Sequence, residues 1–306
     1  MPPFDQVAMR IAVAGASGFI GHAIGDELRR GGHTVVTIGR ARSLSPPDVV
    51  WNPARKELSP GALDGCDAVV NLAGASIAQR WTESHKREIL SSRIESTTLL
   101  AETMAALPQK PRVFLSTSAI GYYGNTGDRR VDEYSPRGSG FLADVVAAWE
   151  AAADPARRAG IRVMHPRFGI VLNPKGGALA KMLLPFKLGA GGKLGSGKQW
   201  MSWIALRDAS RAVRFLLENP PLDGPVNVTS PSPVRNDEFT QALGHAVGRP
   251  AFATVPEFAI KLAFGDMGVE TLLSGQQVVP RRLTAAAFKF ELAGIGDALK
   301  AELAGA

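Results

Sequence analysis

Three glycines are the first residues whose spacing could do chemistry. Gly15, Gly18 and Gly21 stand in Gly15-Ala16-Ser17-Gly18-Phe19-Ile20-Gly21, after the apolar run Arg10-Ile11-Ala12-Val13-Ala14 and before apolar residues at helical spacing through Ile24 and Leu28. Strand, glycine turn and helix in that order bring main-chain N–H groups and a helix's positive end together, which suits a pyrophosphate. Gly15, Ser17, Gly18, Phe19, Ile20 and Gly21 are therefore expected to bind a dinucleotide. Gly31-Gly32 stops the helix, and Thr34-Val35-Val36-Thr37-Ile38 reads as the next strand, followed by Gly39-Arg40-Ala41-Arg42. An NAD-binding unit usually places Asp or Glu here against the ribose 2′-hydroxyl. A guanidinium attracts a 2′-phosphate instead, so Gly39 and Arg40 point to NADP(H).

A third apolar strand ends in Asn71-Leu72-Ala73-Gly74, and its small residues would line the ligand's path where open sheets bind ligands. Leu72, Ala73 and Gly74 join the expected cofactor set, as do Ser116 and Val171. Glu88 and Arg93 join it too, although a solvated helix face is the ordinary role of such charges. Other chemistries lack a pattern. Gly192-Lys193-Leu194-Gly195-Ser196-Gly197-Lys198-Gln199 departs from a P-loop at Gln199, and no buried strand precedes it. His22, His33, His85, His165 and His245 show no metal spacing, and no G-x-S-x-G elbow occurs. No metal is expected.

The elements that must position these residues alternate. Strands at 68–72, 112–117 and 161–164 are separated by helices at about 83–106 and 140–159, with a further helix from about Leu206 to Leu217 and a strand at Val226-Asn227-Val228. This predicts an α/β protein with a doubly wound parallel sheet covered on both faces. Residues 9–172 with about 203–230 form the expected nucleotide-binding domain. About 173–202 with 231–306 form a smaller substrate-side, C-terminal domain. At 306 residues, 45% hydrophobic and 21% charged, with mean hydropathy +0.01, the chain is globular. No run reaches the ~18 apolar residues of a membrane span, and the N-terminus lacks a signal-peptide pattern. The single Cys66 fits a reducing compartment. A cytoplasmic chain is expected.

The segment Ser116-Thr117-Ser118-Ala119-Ile120-Gly121-Tyr122-Tyr123-Gly124 completes a resemblance. With G-x-x-G-x-x-G, Asn-Leu-Ala-Gly and Trp203-Ile204…Arg207-Asp208, residues 9–230 resemble the extended short-chain dehydrogenase/reductase superfamily. The end, with Gln276-Gln277-Val278-Val279-Pro280-Arg281-Arg282-Leu283, is similar to a terminal domain of unknown function in its NAD(P)-dependent epimerase/dehydratase-like branch. The resemblance implies a Rossmann fold and makes Ser118 the serine that hydrogen-bonds a substrate oxygen. It also implies a Tyr-x-x-x-Lys pair, in which tyrosine is the acid/base. Aligned on Glu150, the pair's positions fall on Leu142 and Val146, neither of which transfers a proton. The substitute donor must come from Tyr122, Tyr123, Tyr134 or another residue type, with Tyr122 or Tyr123 close to Ser118 in sequence.

The charge is uneven. Lys+Arg 35 against Asp+Glu 28 gives +7; residues 1–153 balance at 16 and 16, whereas 157–214 carry 12 basic residues and only Asp208. Lys187, Lys193 and Lys198 lie among glycines there and read as an anion-binding loop on the substrate side. No nucleic-acid motif accompanies them. Two functions follow as expectations. The first is NADP(H)-dependent hydride exchange on an anionic small molecule such as a nucleotide sugar. The second is a catalytically impaired NADPH sensor or scaffold.

Overall fold

A computed structural model describes residues 8–41, 46–59, 61–219 and 221–304; Arg42 lies outside them. The strands in chain order are β1 (Arg10–Ala14), β2 (Thr34–Gly39), β3 (Val49–Asn52), β4 (Glu57–Leu58), β5 (Ala68–Asn71), β6 (Val113–Ser116), β7 (Ser118–Ala119), β8 (Arg130–Val131) and β9 (Arg162–Phe168). They continue as β10 (Ile170–Leu172), β11 (Gly192–Leu194), β12 (Trp200–Met201), β13 (Trp203–Ala205), β14 (Gly224–Val228), β15 (Val234–Arg235), β16 (Ala253–Val255) and β17 (Gln277–Val278). The helices are α1 (Phe19–Arg30), α2 (Glu83–Ala106), α3 (Phe141–Ala151), α4 (Asp154–Arg158), α5 (Gly177–Lys187), α6 (Leu206–Glu218), α7 (Asn236–Ala246), α8 (Glu257–Phe264), α9 (Arg281–Ala285) and α10 (Ile295–Ala304).

The main sheet runs β14-β9-β6-β5-β1-β2-β3-β4, with β7 beside β9. Every pairing in it is parallel except β3 with β4, which form a hairpin. Chain order reverses between β1 and β5. Their carboxyl ends therefore flank the crevice where such sheets bind ligands.

Strand alternation explains why both faces are apolar. Ile11 and Val13 pack on one side with Ile24 and Leu28 of α1 and Val213 and Leu216 of α6. Ala12 and Ala14 face the other side, toward Leu100 and Met104 of α2 and Ala156 of α4. Each fully buried Leu or Ile here contributes about 1.5–3 kcal/mol. A third cluster forms from the later chain, with Leu179 and Phe186 of α5, Trp203, Phe239 and Leu299. Leu283 and Phe288 nevertheless return to the first cluster, so the C-terminal segment also packs on the nucleotide-binding sheet.

Two elements differ from expectation. The helix expected over 140–159 breaks into α3 and α4, because Pro155 has no N–H to continue the α3 ladder and sits instead in the first turn of α4. The β3–β4 hairpin is too short and too polar to show periodicity. It is held by buried Trp51, paired with Leu58.

Candidate functional site

The glycine turn shows what each glycine is for. Gly15 has φ +81°, and a Cβ there would lie 2.9 Å from the Leu72 carbonyl carbon. A Cβ on Gly21 would come within 2.2 Å of the Gly15 oxygen. These two are required by the protein itself. Gly18 is different: a Cβ there would meet only the Gly15 oxygen, at 3.5 Å, and otherwise open space. Gly18 caps α1 without a side-chain bond, and no acidic residue stands in the first turn. The positive end of α1 is thus bare, over a cradle that any side chain at position 18 would fill. Phe19 lies against Gly176 and Gly177, tying the turn to the start of α5.

From the turn a cleft of about 1440 Å³ runs along the end of β2. Ser17, Gly21, Gly39 and Arg40 line it, together with Arg29, Asp48 and Lys56. The Asp48 carboxylate accepts from the Thr37 N–H at 2.7 Å and the Thr37 hydroxyl at 2.9 Å. Those bonds hold its pKa below the usual range. Among the described residues, the carboxylate adjoining β2 in the cleft is therefore already bonded to the strand.

At the end of β5, Leu72 lies over Gly15, and Asn71 folds back to accept from the Ala73 N–H and donate to Thr97. Arg93 lies beneath this segment, with Gly74 against it. Its Nη1 donates to the Ala75 and Ile89 carbonyls at 3.1 and 3.0 Å, and its guanidinium stacks on Trp149. Burial pushes its pKa down to about 10, and no carboxylate pairs with it among the described residues. Glu88 is exposed and meets His85 Nδ1 at 3.2 Å. Val171 is buried in β10, against the first core cluster.

The β6–β7 end is closed. Ser118, 3% exposed, donates to Glu150 Oε1 at 2.6 Å. Arg167 forms a two-pronged pair with Glu150, at 2.7 Å from Nε and 2.8 Å from Nη2, and donates from Nη1 to the Tyr123 hydroxyl at 3.0 Å. Tyr123 in turn donates to Asn227, whose N–H donates to Glu133. Burial alone would raise the Glu150 pKa, but the Arg167 hydrogen bond and charge outweigh it and hold it low. Burial pushes Tyr123 up to about 12. Leu142 and Val146 pack on Gly121, and Leu142 belongs to an apolar cluster with Trp81, Val145 and Met267.

Tyr134 is exposed, with Arg281 over its ring. Tyr122 has the Arg167 guanidinium 3.5 Å above its ring, while no protein group bonds its hydroxyl among the described residues. Ser116 is fully buried; its hydroxyl has no partner among the described residues, and its carbonyl lies 3.3 Å from His165 Nδ1. Arg167 and Asn227 carry no local signal that would have marked them beforehand.

The basic segment is not a free patch. Arg157, Arg167, Arg207, Arg211 and Arg214 pair with Asp154, Glu150, Glu291, Asp208 and Glu27. Lys198 lines a second cleft of about 610 Å³ with Trp200, Arg235, Asp128 and Asp237; Lys187 and Lys193 do not. Asp128 accepts from Trp200 and Arg235, both at 3.0 Å. Among the described residues no cluster of three or more His, Cys, Asp or Glu could hold a metal ion, and no helix is long and apolar enough to cross a membrane.

A parallel sheet reversing at β1/β5, with a glycine turn and a bare helix end in the crevice, defines a Rossmann-type α/β protein of the epimerase kind. The chain belongs to the NAD dependent epimerase/dehydratase family, which matches residues 11–228; a domain of unknown function (DUF1731) matches 255–302. The "Epimerase family protein MT2273" of Mycobacterium tuberculosis is 46% identical over 290 residues, covering 94% of this chain and 96% of that protein. Human epimerase family protein SDR39U1 is 38% identical over 300 residues, covering 95% and 99%. A crystal structure of human SDR39U1 (isoform 2) with NADPH superposes with a TM-score of 0.88 at 36% identity, covering 97% of this chain and all of that one. UDP-glucose 4-epimerase of Thermus thermophilus, solved with NAD, shares the fold at TM-score 0.75 and 19% identity.

Proposed function

We propose that this protein binds NADP(H) across the glycine turn and exchanges hydride with a small molecule carrying an anionic group. The observation that carries the cofactor half is the empty Cβ side of Gly18 at the bare end of α1, which leaves room for an approaching anion. Human SDR39U1 crystallised with NADPH supports it. Main-chain groups of residues 17–21 would hold the pyrophosphate. Arg40 would meet the 2′-phosphate, Leu72 and Ala73 would cover the adenosine-to-nicotinamide path, and Arg93 would brace that cover from below. The cofactor supplies or removes a hydride.

The proton must come from a residue outside the usual pair, since Leu142 and Val146 occupy an apolar wall. Tyr123 and Ser118 already donate to protein groups. Of the two tyrosines close to Ser118 in sequence, Tyr122 is the phenol left to move a proton. On the substrate side the anionic requirement rests on Lys198, which lines that cleft beside Arg235; Asp128 there accepts from Arg235 and Trp200, and Asp237 lines it too.

A second reading has its own observation. Ser118 bound to Glu150 beside an apolar wall is what a cofactor sensor, with no need of acid/base groups, would show. Tryptophan fluorescence titration with NADPH and NADH tests the cofactor claim. Tighter NADPH binding that Arg40→Ala reduces roughly tenfold is expected from loss of one phosphate contact; equal affinity for the two nucleotides removes the 2′-phosphate assignment. NADPH oxidation followed across a panel of sugar nucleotides and carbonyl compounds separates the two readings. Turnover lost in Tyr122→Phe supports hydride exchange, and binding without turnover on any compound supports the sensor.

A further inference from the structure

Resting on the NADP(H) reading above, we infer that Lys56 is a second cation for the 2′-phosphate, acting beside Arg40. Lys56 lines the same cleft as Gly39 and Arg40, at the turn of the β3–β4 hairpin. That hairpin is rigidly held. Trp51 is buried, Trp51 pairs with Leu58, Asn52 pairs with Glu57, and the Lys56 N–H donates to the Pro53 carbonyl.

Lys56 has φ +55°, a left-handed conformation that glycine or asparagine adopts with less strain. Its ammonium has no carboxylate partner among the described residues. Of the other charges lining the cleft, Arg29 donates to Asp26 and Asp48 accepts from Thr37, while Glu57 lines it beside Lys56. Lys56 and Arg40 thus line one cleft, and two cations in one site are the arrangement a doubly charged phosphomonoester favours. The hairpin, not the strand end alone, would then set the preference for the phosphorylated cofactor.

The test uses the full chain and four ligands: adenosine 2′,5′-bisphosphate, AMP, NADPH and NADH. In Lys56→Gln the two 2′-phosphorylated ligands should weaken roughly fivefold, the order of one partly exposed charge pair, while AMP and NADH stay unchanged. Raising salt should weaken the wild type more than the variant. Lys56→Gly should show the same selective loss with an unchanged or higher Tm, because glycine relieves the left-handed strain. That combination separates a phosphate contact from a structural role. Equal shifts for phosphorylated and unphosphorylated ligands, or no shift at all, overturn the inference. A preference for NADPH that disappears in Arg40→Ala yet survives in Lys56→Gln overturns it while leaving the cofactor reading intact. A wild type with no preference for NADPH overturns both.

Discussion

At the end of β1 the first-turn N–H groups of α1 face outward from an uncapped Gly18, whereas at the end of β6 Ser118, Glu150, Arg167 and Tyr123 are bonded to one another. Both places lie at carboxyl ends of the same parallel sheet, and both carry residues expected to act. Their difference is one of saturation. The glycine turn leaves the first turn of α1 without a side-chain cap, while the β6–β7 end satisfies its polar groups internally and is rigid as a result. A binding site can be recognised from what is left unsatisfied. Ser118, fully engaged, is recognisable only as a member of a buried network until a ligand competes for its hydroxyl.

The sharpest way to break this contrast is Arg167→Ala. It leaves the Glu150 carboxylate buried without its cation, and a cost of about 3–5 kcal/mol is expected in urea unfolding. A cost under about 1 kcal/mol would show that the network is not closed.

A smaller effect comes from pH. His165 Nδ1 faces the Ser116 carbonyl, and Nε2 accepts from Arg157, so the ring is neutral. Burial holds its pKa at about 4 against 6.5 for an exposed ring. The unfolded chain takes up this proton near pH 6.5 and the folded protein only near 4. Stability should be complete above pH 6.5 and fall as pH drops between those values. The urea midpoint should therefore be lower at pH 5 than at pH 7.5, with a smaller difference in His165→Asn. Glu150, whose carboxyl is held low, adds a loss in the same direction at lower pH.

The mildest pair sharpens the glycine end. Gly21→Ala forces a Cβ onto the Gly15 oxygen and should cost about 1–3 kcal/mol as well as nucleotide binding. Gly18→Ala meets no such clash. It should cost less than about 1 kcal/mol as a poorer N-cap, yet weaken NADPH at least tenfold. Equal damage to stability from both changes would show that Gly18 serves the fold and not a ligand.

The local parts of this molecule were legible because their causes are local. Strand, turn and helix at 10–30 follow from apolar runs and glycine spacing, and α2 spans the expected residues because its pattern is long and unbroken by proline. The break between α3 and α4 could have been read from Pro155. The hairpin carrying Lys56 could not, since its four-residue and two-residue strands are stabilised by Trp51 reaching the shared core.

Charge shows the limit most plainly. Along the sequence, residues 157–214 carry 12 cations and one acid. In space, Arg214 meets Glu27 and Glu218, Arg211 and Arg207 meet Glu291, and Arg167 meets Glu150. A cation's field is set by the nearest carboxylate, and chain distance says nothing about which one that is. The sequence by itself determined the parallel sheet, the glycine turn and the arginine at its second strand. Those depend on backbone conformation and on neighbours a few residues away. Only the tertiary structure decided that Ser118 is engaged, that Leu142 and Val146 form an apolar wall, and that five of the twelve cations of the basic segment pair with carboxylates, because each depends on groups that meet only once the chain has folded.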